Sequence, residues 1–367
     1  MSSNDQAPEE MPESVAPEWW IYRGTGRPLH DIQLVDLLPP PPPWRKFRGE
    51  IPAEPQQRPE DDYEAERRLG AEFHLTEEDV DPREIDMVNA SLFLRRPLLV
   101  TGRPGSGKSA LAYRIARELR LGRVLRWSIT SRTTLQSGLY EYDAIGRAQA
   151  AATRYAAARR IDTSRSETTD IDEPPVGDFI RLGPLGTAFL PSRSPRVLLI
   201  DELDKSDADL PNDLLSIFED AEFGIPELER IRAHTPSVRV FTNDRRGAAT
   251  VVDGRIACAA FPVVVITSNG EREFPPAFLR RCLRLEMREP DANQLAAMVA
   301  NHMLDANGVH TDRLIREFLA RSAALDGLPA DRLLEAVYLA TSGAFRENDL
   351  SWPRLLDALW RRLSLVP

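Results

Sequence analysis

The chain has 367 residues, 42% hydrophobic and 28% charged, with a formal net charge of −10. That length suits two or three domains with cores of their own, and the acidic balance argues against nucleic acid as a partner, because phosphate-backbone binding needs a basic face. Two cysteines, Cys258 and Cys282, exclude a disulfide scaffold or a cysteine zinc site, and the longest apolar runs, Pro97–Val100 and Pro262–Ile266, are too short to span a bilayer.

The first ten residues lack the basic and apolar regions of a signal peptide, so the expected location is the cytoplasm, with no membrane partner. Residues 1–60 hold 12 of the 30 prolines, including Pro39–Pro43, and the first 20 residues carry acids but no Lys or Arg. Such a segment lacks amide donors and a continuous apolar pattern, which predicts a disordered, Pro-rich, acidic N-terminal arm. Trp19, Trp20 and Trp44 leave open an arm that docks on a neighbouring surface. Globular patterning starts near residue 61. A helix near 83–94 leads into a buried strand, Pro97–Thr101, then a Gly-rich turn and a helix from about 108 to 120. Leu111, Ile115 and Leu119 share one face of that helix. A strand over Val124–Ile129 comes next, and then an Ala-rich helix near 147–160 that belongs to a polar insertion of about 145–178.

Val197–Ile200 is continuously apolar, as in a parallel sheet covered on both faces, and a helix near 211–219 follows. A hairpin insertion is expected over about 224–262, with strands Val238–Thr242 and Thr250–Ala259 and a further turn at Asp253-Gly254. Val263–Thr267 is another buried strand, and Cys282–Met287 alternates like a half-buried one. Beyond residue 291 four helical stripes recur: Leu295, Met298, Val299 and Met303; Leu314, Ile315, Phe318 and Leu319; Leu334, Val337 and Tyr338; Leu355, Leu356, Leu359 and Leu363. The expected organisation is an arm over 1–60, a parallel α/β core over 61–288 and an all-helical domain over 289–367.

The glycine-rich turn carries the chemistry. Gly102, Arg103, Pro104, Gly105, Ser106, Gly107, Lys108 and Ser109 fit GxxxxGK[ST] between a buried strand and a helix. Glycines let backbone N–H groups turn around phosphate oxygens, and the helix N-terminus adds positive dipole. Lys108 would reach the β- and γ-phosphates, and Ser109 would hold Mg²⁺. Only three lysines occur, at 46, 108 and 205, against 44 arginines, so a retained lysine marks a place for a compact ammonium. The strand Val197–Ile200 ends in Asp201 and Glu202. Asp201 is placed to hold Mg²⁺ through water, and Glu202 to polarise an attacking water; a strand running into an acidic helix cap is the bland alternative. Asn269 ends the strand Val263–Thr267, where it would face the γ-phosphate or the water. Arg280 and Arg281 end a short helix opened by Pro275-Pro276. Arg354 lies in the first turn of the last helix, where a cation opposes the helix dipole and an anion contact explains it better. No NKxD motif for guanine is present, which favours ATP.

These features resemble the Walker A, Walker B, sensor 1, arginine finger and sensor 2 of AAA+ ATPases. Phe179-Ile-Arg-Leu-Gly-Pro-Leu-Gly, Asp201-Glu202-Leu-Asp-Lys205, Phe274-Pro-Pro-Ala-Phe-Leu-Arg-Arg281 and Trp352-Pro-Arg354 resemble the MoxR branch, over roughly residues 85–365. The resemblance implies a doubly wound parallel P-loop sheet with a C-terminal all-helical lid. It implies ATP and Mg²⁺ as cofactors and Glu202, Asn269, Arg281, Arg354 and Lys108 as catalytic residues. The eight P-loop residues and Asp201 would bind the nucleotide, and Ser109 and Asp201 the metal. It implies a ring oligomer, six subunits by family habit, that remodels or activates a protein with a von Willebrand factor A domain. MoxR proteins usually place an Asp before the finger arginine, where this chain has Arg280, so Arg280 and Arg281 both stand as finger candidates. Two other functions fit a P-loop: a slow nucleotide-dependent switch or scaffold in signalling or defence, and a small-molecule kinase, which needs no lid arginine.

Overall fold

The computed structural model describes residues 17–30, 33–51, 62–70, 75, 80–161, 174–303, 309–325, 328–342 and 351–360. Numbered along the chain, five strands form one sheet: β1 (Leu98–Thr101), β2 (Leu125–Ser128), β5 (Val197–Asp201), β10 (Val263–Ser268) and β11 (Leu283–Glu286). They run in the order β11-β1-β10-β5-β2, every pair parallel. The three central strands are the continuously apolar ones. Every residue of β5 and β10 is buried, because helices cover both faces. The edge strands alternate instead: Leu125 and Trp127 are buried while Arg126 and Ser128 face out, and Leu285 is buried between Arg284 and Glu286.

A second sheet holds β3 (Tyr140–Tyr142), β4 (Ile180–Leu182), β6 (Glu222–Gly224), β7 (Ser237–Phe241), β8 (Ala248–Val252) and β9 (Arg255–Ala257), in the order β3-β4-β7-β8-β9-β6. The expected hairpin is its β7–β8 pair, and Asp253-Gly254 turns β8 into β9 with positive φ at both residues, 53° and 71°. β3, β4 and β6 escape a sequence reading because three residues carry no resolvable period and their partners lie about 30 or more residues away.

The sheet separates two cores. One face packs Leu99, Leu198, Ile200, Val264 and Ile266 in one core with the helices Pro184–Ala188 and Leu210–Asp220 and the inner side of the second sheet; the other packs Leu98, Val100, Leu199 and Val265 against the helix Lys108–Glu118. A third core joins the helices Ala292–His302, Val309–Ala324, Asp331–Thr341 and Trp352–Leu359. In the third of these, Leu333, Ala336 and Val337 face inward and Tyr338 is exposed, so the stripe expected at Leu334, Val337 and Tyr338 is rotated by about one residue. Leu363 lies outside the described residues. The Ala-rich helix spans Ala144–Ile161, and the polar stretch 162–173 also lies outside them.

The disordered arm expected over 1–60 is not what its described residues form. Residues 17–30 and 33–51 make a strap along the body, whereas 1–16, 31–32 and 52–60 lie outside the described residues. Tyr22 is fully buried, its hydroxyl donating to Glu84 at 2.9 Å, and Glu84 pairs with Arg114 at 2.7 Å. Asn89 Oδ1 accepts the N–H groups of Ile21 and Tyr22, and Glu118 accepts those of Arg23 and Gly26. Further on, Arg45 is buried, donates to the Phe218 carbonyl at 2.9 Å and lies over the Phe261 ring. The side chains and carboxylates of the helices Pro82–Leu94 and Lys108–Glu118 thus supply the partners that a Pro-rich segment cannot find within itself. Among the described residues no helix is long and apolar enough to cross a membrane.

Candidate active site

β1, β10 and β5 are neighbours, so whatever follows them meets at one rim of the sheet. The register pairs Thr101 with Ser268 and Ile266 with Ile200, which brings the P-loop, Asn269 and Asp201-Glu202 to that rim in the order sequence spacing suggested. The loop adopts positive φ at Gly102, Gly105 and Gly107 (146°, 82° and 85°), conformations that a side chain would strain. Gly105 is also a point of close approach: a Cβ there would lie 2.4 Å from the Cα of Pro329, just before the lid helix Asp331–Thr341. Arg103 pairs with Glu289 at 2.8 Å, a second link between loop and lid.

Lys108 is buried and donates to the carbonyl oxygens of Gly102 and Arg103, both at 2.7 Å. Burial pulls its ammonium below the ordinary lysine value, opposed by Asp204, Asp201 and Glu202. Ser109 Oγ donates to Asp201 Oδ1 at 2.6 Å, and Thr267 Oγ1 donates to the same oxygen at 2.8 Å. Arg126 covers the other oxygen with Nε at 3.0 Å and Nη2 at 2.6 Å. Burial alone would raise the Asp201 carboxyl; the donations from Ser109, Arg126 and Thr267 outweigh it and hold it below its usual range.

Glu202 takes a left-handed conformation, φ 63° and ψ 50°. For a residue with a Cβ this costs about 1–2 kcal/mol. It is held by the bond from Glu202 N to Thr267 Oγ1 at 2.8 Å and by the short turn Leu203–Lys205. The kink turns the Glu202 side chain out of the sheet to half-exposure, where Lys205 Nζ meets Oε2 at 2.8 Å. Asp204 fixes the rim from below by accepting from the N–H groups of Asn269 and Glu271, at 2.8 and 3.1 Å.

Two expected site residues make no hydrogen bond or ion pair to this cluster among the described residues. Arg281 is exposed at the end of the helix Pro276–Arg281, its Nε 2.5 Å from Glu219. Arg96 Nε donates to its carbonyl at 3.0 Å, and Arg96 also bonds the carbonyl of Arg280. Since Arg96 precedes β1 and the P-loop follows it, Arg281 belongs to the opposite rim from its own Lys108. Arg354 is exposed and has no hydrogen bond or ion pair among the described residues. Sequence reading passed over Thr267, Arg126 and Asp204. Thr267 was legible as the polar end of an apolar strand, and Asp204 as the next acid after Asp201-Glu202. Nothing local distinguishes Arg126 from the other arginines.

The family described as AAA domain (dynein-related subfamily) matches residues 97–282, just over half of the chain, from the start of β1 to the end of the helix carrying Arg281. The chain belongs to this AAA family of nucleotide-dependent ATPases. No curated protein matches it.

The residues fit the nucleotide and metal that this family implies. Three glycines with positive φ turn the loop, and Ser106 Oγ within it is buried with no hydrogen-bond partner among the described residues, a donor left for an anion. Lys108 has a third N–H to give. Among the described residues no group of three His, Cys, Asp or Glu could hold a metal unaided. Mg²⁺ would therefore rest on Ser109 and Asp201 together with phosphate oxygens, the usual arrangement for this reluctantly dehydrated ion.

Proposed function

We propose that the chain binds ATP with Mg²⁺ and hydrolyses it as a MoxR-like AAA+ ATPase, working in a ring, six subunits by family habit, to remodel or activate a partner protein, one with a von Willebrand factor A domain being the family precedent. A cytoplasmic setting suits that work. The observation that carries the reading is the meeting of Lys108, Ser109, Asp201, Glu202 and Thr267 at one rim. When bound, Mg²⁺ would neutralise phosphate charge. The protein's own part is positional. Lys108 and the loop N–H groups bind the phosphates, and Ser109 and Asp201 orient the metal. Glu202 accepts a proton from water, and Asn269 aligns it. The left-handed kink supports the base assignment, since strain at a non-glycine residue clusters at functional sites. The separation of Arg281 from its own P-loop supports a finger offered to a neighbour.

Phosphate release from ATP by the purified chain, with and without Mg²⁺, tests the core of this reading. Mg²⁺-dependent turnover, most of which Glu202→Gln removes, is expected. Absence of both nucleotide binding and turnover in the wild type would overturn it. Binding with a single slow turnover, unchanged by a von Willebrand factor A partner, would instead favour the switch.

A further inference from the structure

β2 lies at the edge of the parallel sheet, and its alternation turns Arg126 outward near the rim where β5 ends in Asp201. Two N–H groups of the guanidinium, on Nε and Nη2, go to one oxygen, Asp201 Oδ2, while Ser109 and Thr267 occupy Oδ1. The carboxylate is therefore saturated by the protein itself. The pair is also lopsided: the Asp201 side chain is 6% exposed and that of Arg126 41%. One partner is fixed by the sheet and the other can swing away. Lys108 points to carbonyl oxygens of its own loop, so among the described residues Arg126 is the cation seated directly on Asp201.

We propose that Arg126 acts as an internal counter-ion that Mg²⁺ must displace from Asp201, so that Arg126 sets how much Mg²⁺ nucleotide binding requires. The inference rests on reading Lys108, Ser109 and Asp201 as the Mg²⁺-nucleotide site. A metal ion, or a water in its shell, needs a lone pair on Asp201, and two N–H groups already occupy Oδ2. A guanidinium and a divalent cation side by side also repel, and least screening applies where the carboxylate is buried. Ser109 need not move, because its hydroxyl can give its proton to Oδ1 and keep a lone pair for the metal. Arg126 has somewhere to go. It sits on an edge strand and its stem is partly solvated. It also adds to the field of Arg67 and Arg68 that holds the Glu64 carboxyl down, chiefly through the Arg67 hydrogen bond, so a second acid lies within its electrostatic reach on the helix Asp62–Leu69. Arg126 is thus a positioning residue: it keeps Asp201 aimed in the nucleotide-free protein and yields to the metal.

The test titrates a fluorescent ATP analogue onto the full chain at a series of Mg²⁺ concentrations, for the wild type, Arg126→Gln and Arg126→Lys. Nucleotide-free melting curves are recorded alongside. In Arg126→Gln the Mg²⁺ concentration for half-maximal binding is expected to fall by about two- to fivefold, the range set by a partly exposed ion pair, and the nucleotide-free melting temperature to fall with it. Arg126→Lys, with its charge but without the two-pronged grip, is expected between the two, and it carries the comparison if the glutamine variant does not fold. An unchanged or raised Mg²⁺ requirement overturns the proposal even if stability drops, because Arg126 would then merely prop Asp201. Wild-type protein that binds the analogue with no Mg²⁺ dependence would show instead that the underlying site reading is at fault, and the proposal falls with it.

Discussion

In the function proposed above, Glu202 and Lys108 would have two separate jobs at one rim. Glu202→Gln would then keep the groups that bind nucleotide and remove the group that accepts the proton. ATP affinity is expected to persist while turnover falls by roughly 10²–10⁴-fold, the usual span for a lost general base; phosphate release and nucleotide titration on one preparation measure both. Lys108→Ala is expected to weaken binding itself. Buried titratable groups away from the rim make a separate prediction. Burial raises the Cys258 and Cys282 thiols to about 12, against the pull of nearby arginines, so neither is expected to react with a thiol reagent at pH 8 until the protein unfolds. Asp244 has the opposite sign. Burial pushes its carboxyl up, but Arg196, at 2.8 and 2.9 Å, and Arg123 bring it below the ordinary value. A depressed carboxyl stabilises the fold above its unfolded value and loses that contribution as pH falls through its folded one. Asp244→Asn should therefore cost about 3 kcal/mol at pH 7 by leaving Arg196 buried and unpaired. The gap from wild type should narrow in urea melts taken from pH 5 downward.

The N-terminal strap is the element whose behaviour the structure changes most. A disordered arm is the expectation from composition; its described residues instead bury Tyr22, Leu34 and Arg45, so its removal is expected to cost stability. Deleting residues 1–51 should lower the melting temperature by more than about 10 °C, since several buried side chains contribute about 1.5–3 kcal/mol each. A narrower cut tests the anchoring itself. Asn89 bonds the backbone of Ile21 and Tyr22 with both ends of its amide. Asn89→Ala leaves those groups buried without partners and should cost about 1–3 kcal/mol in denaturant titration. The helix Lys108–Glu118 is held at both ends, by the P-loop before Lys108 and by the strap at Glu118. Strap and nucleotide should thus stabilise one element together, and melting with and without nucleotide in Asn89→Ala measures the coupling.

At the scale of the whole molecule the question is which subunit Arg281 serves. It lies at the rim opposite its own P-loop, fastened by Arg96 and Glu219. On the function proposed above, an arginine there would complete a neighbour's site, and head-to-tail contacts of that kind close into a ring where the rotation allows it. Arg281→Ala should lose about 10³-fold or more in turnover while still binding ATP. Mixed with Lys108→Ala subunits, which keep an intact Arg281, it should regain part of the rate. A monomer with full activity, or co-assembled mixtures that regain nothing, would show that Arg281 is not a finger. Recovery with Arg280→Ala in its place would move the assignment by one residue.

Local chemistry determined the P-loop, the apolar strands and the acids at the end of β5, because glycine conformation, periodicity and residue type act over a few residues and are written in order along the chain. Tertiary structure decided what depends on partners far away in sequence. Composition made the strap look like a free arm, because its partners, Glu84, Asn89 and Glu118, lie more than 60 residues on. The three-residue strands β3, β4 and β6 joined the local β7–β8–β9 strands in one sheet only by pairing at long range. One arginine among 44 became a counter-ion because β2 lies next to β5 and places Arg126 within 2.6 Å of Asp201, a neighbourhood that strand order creates and no local pattern encodes.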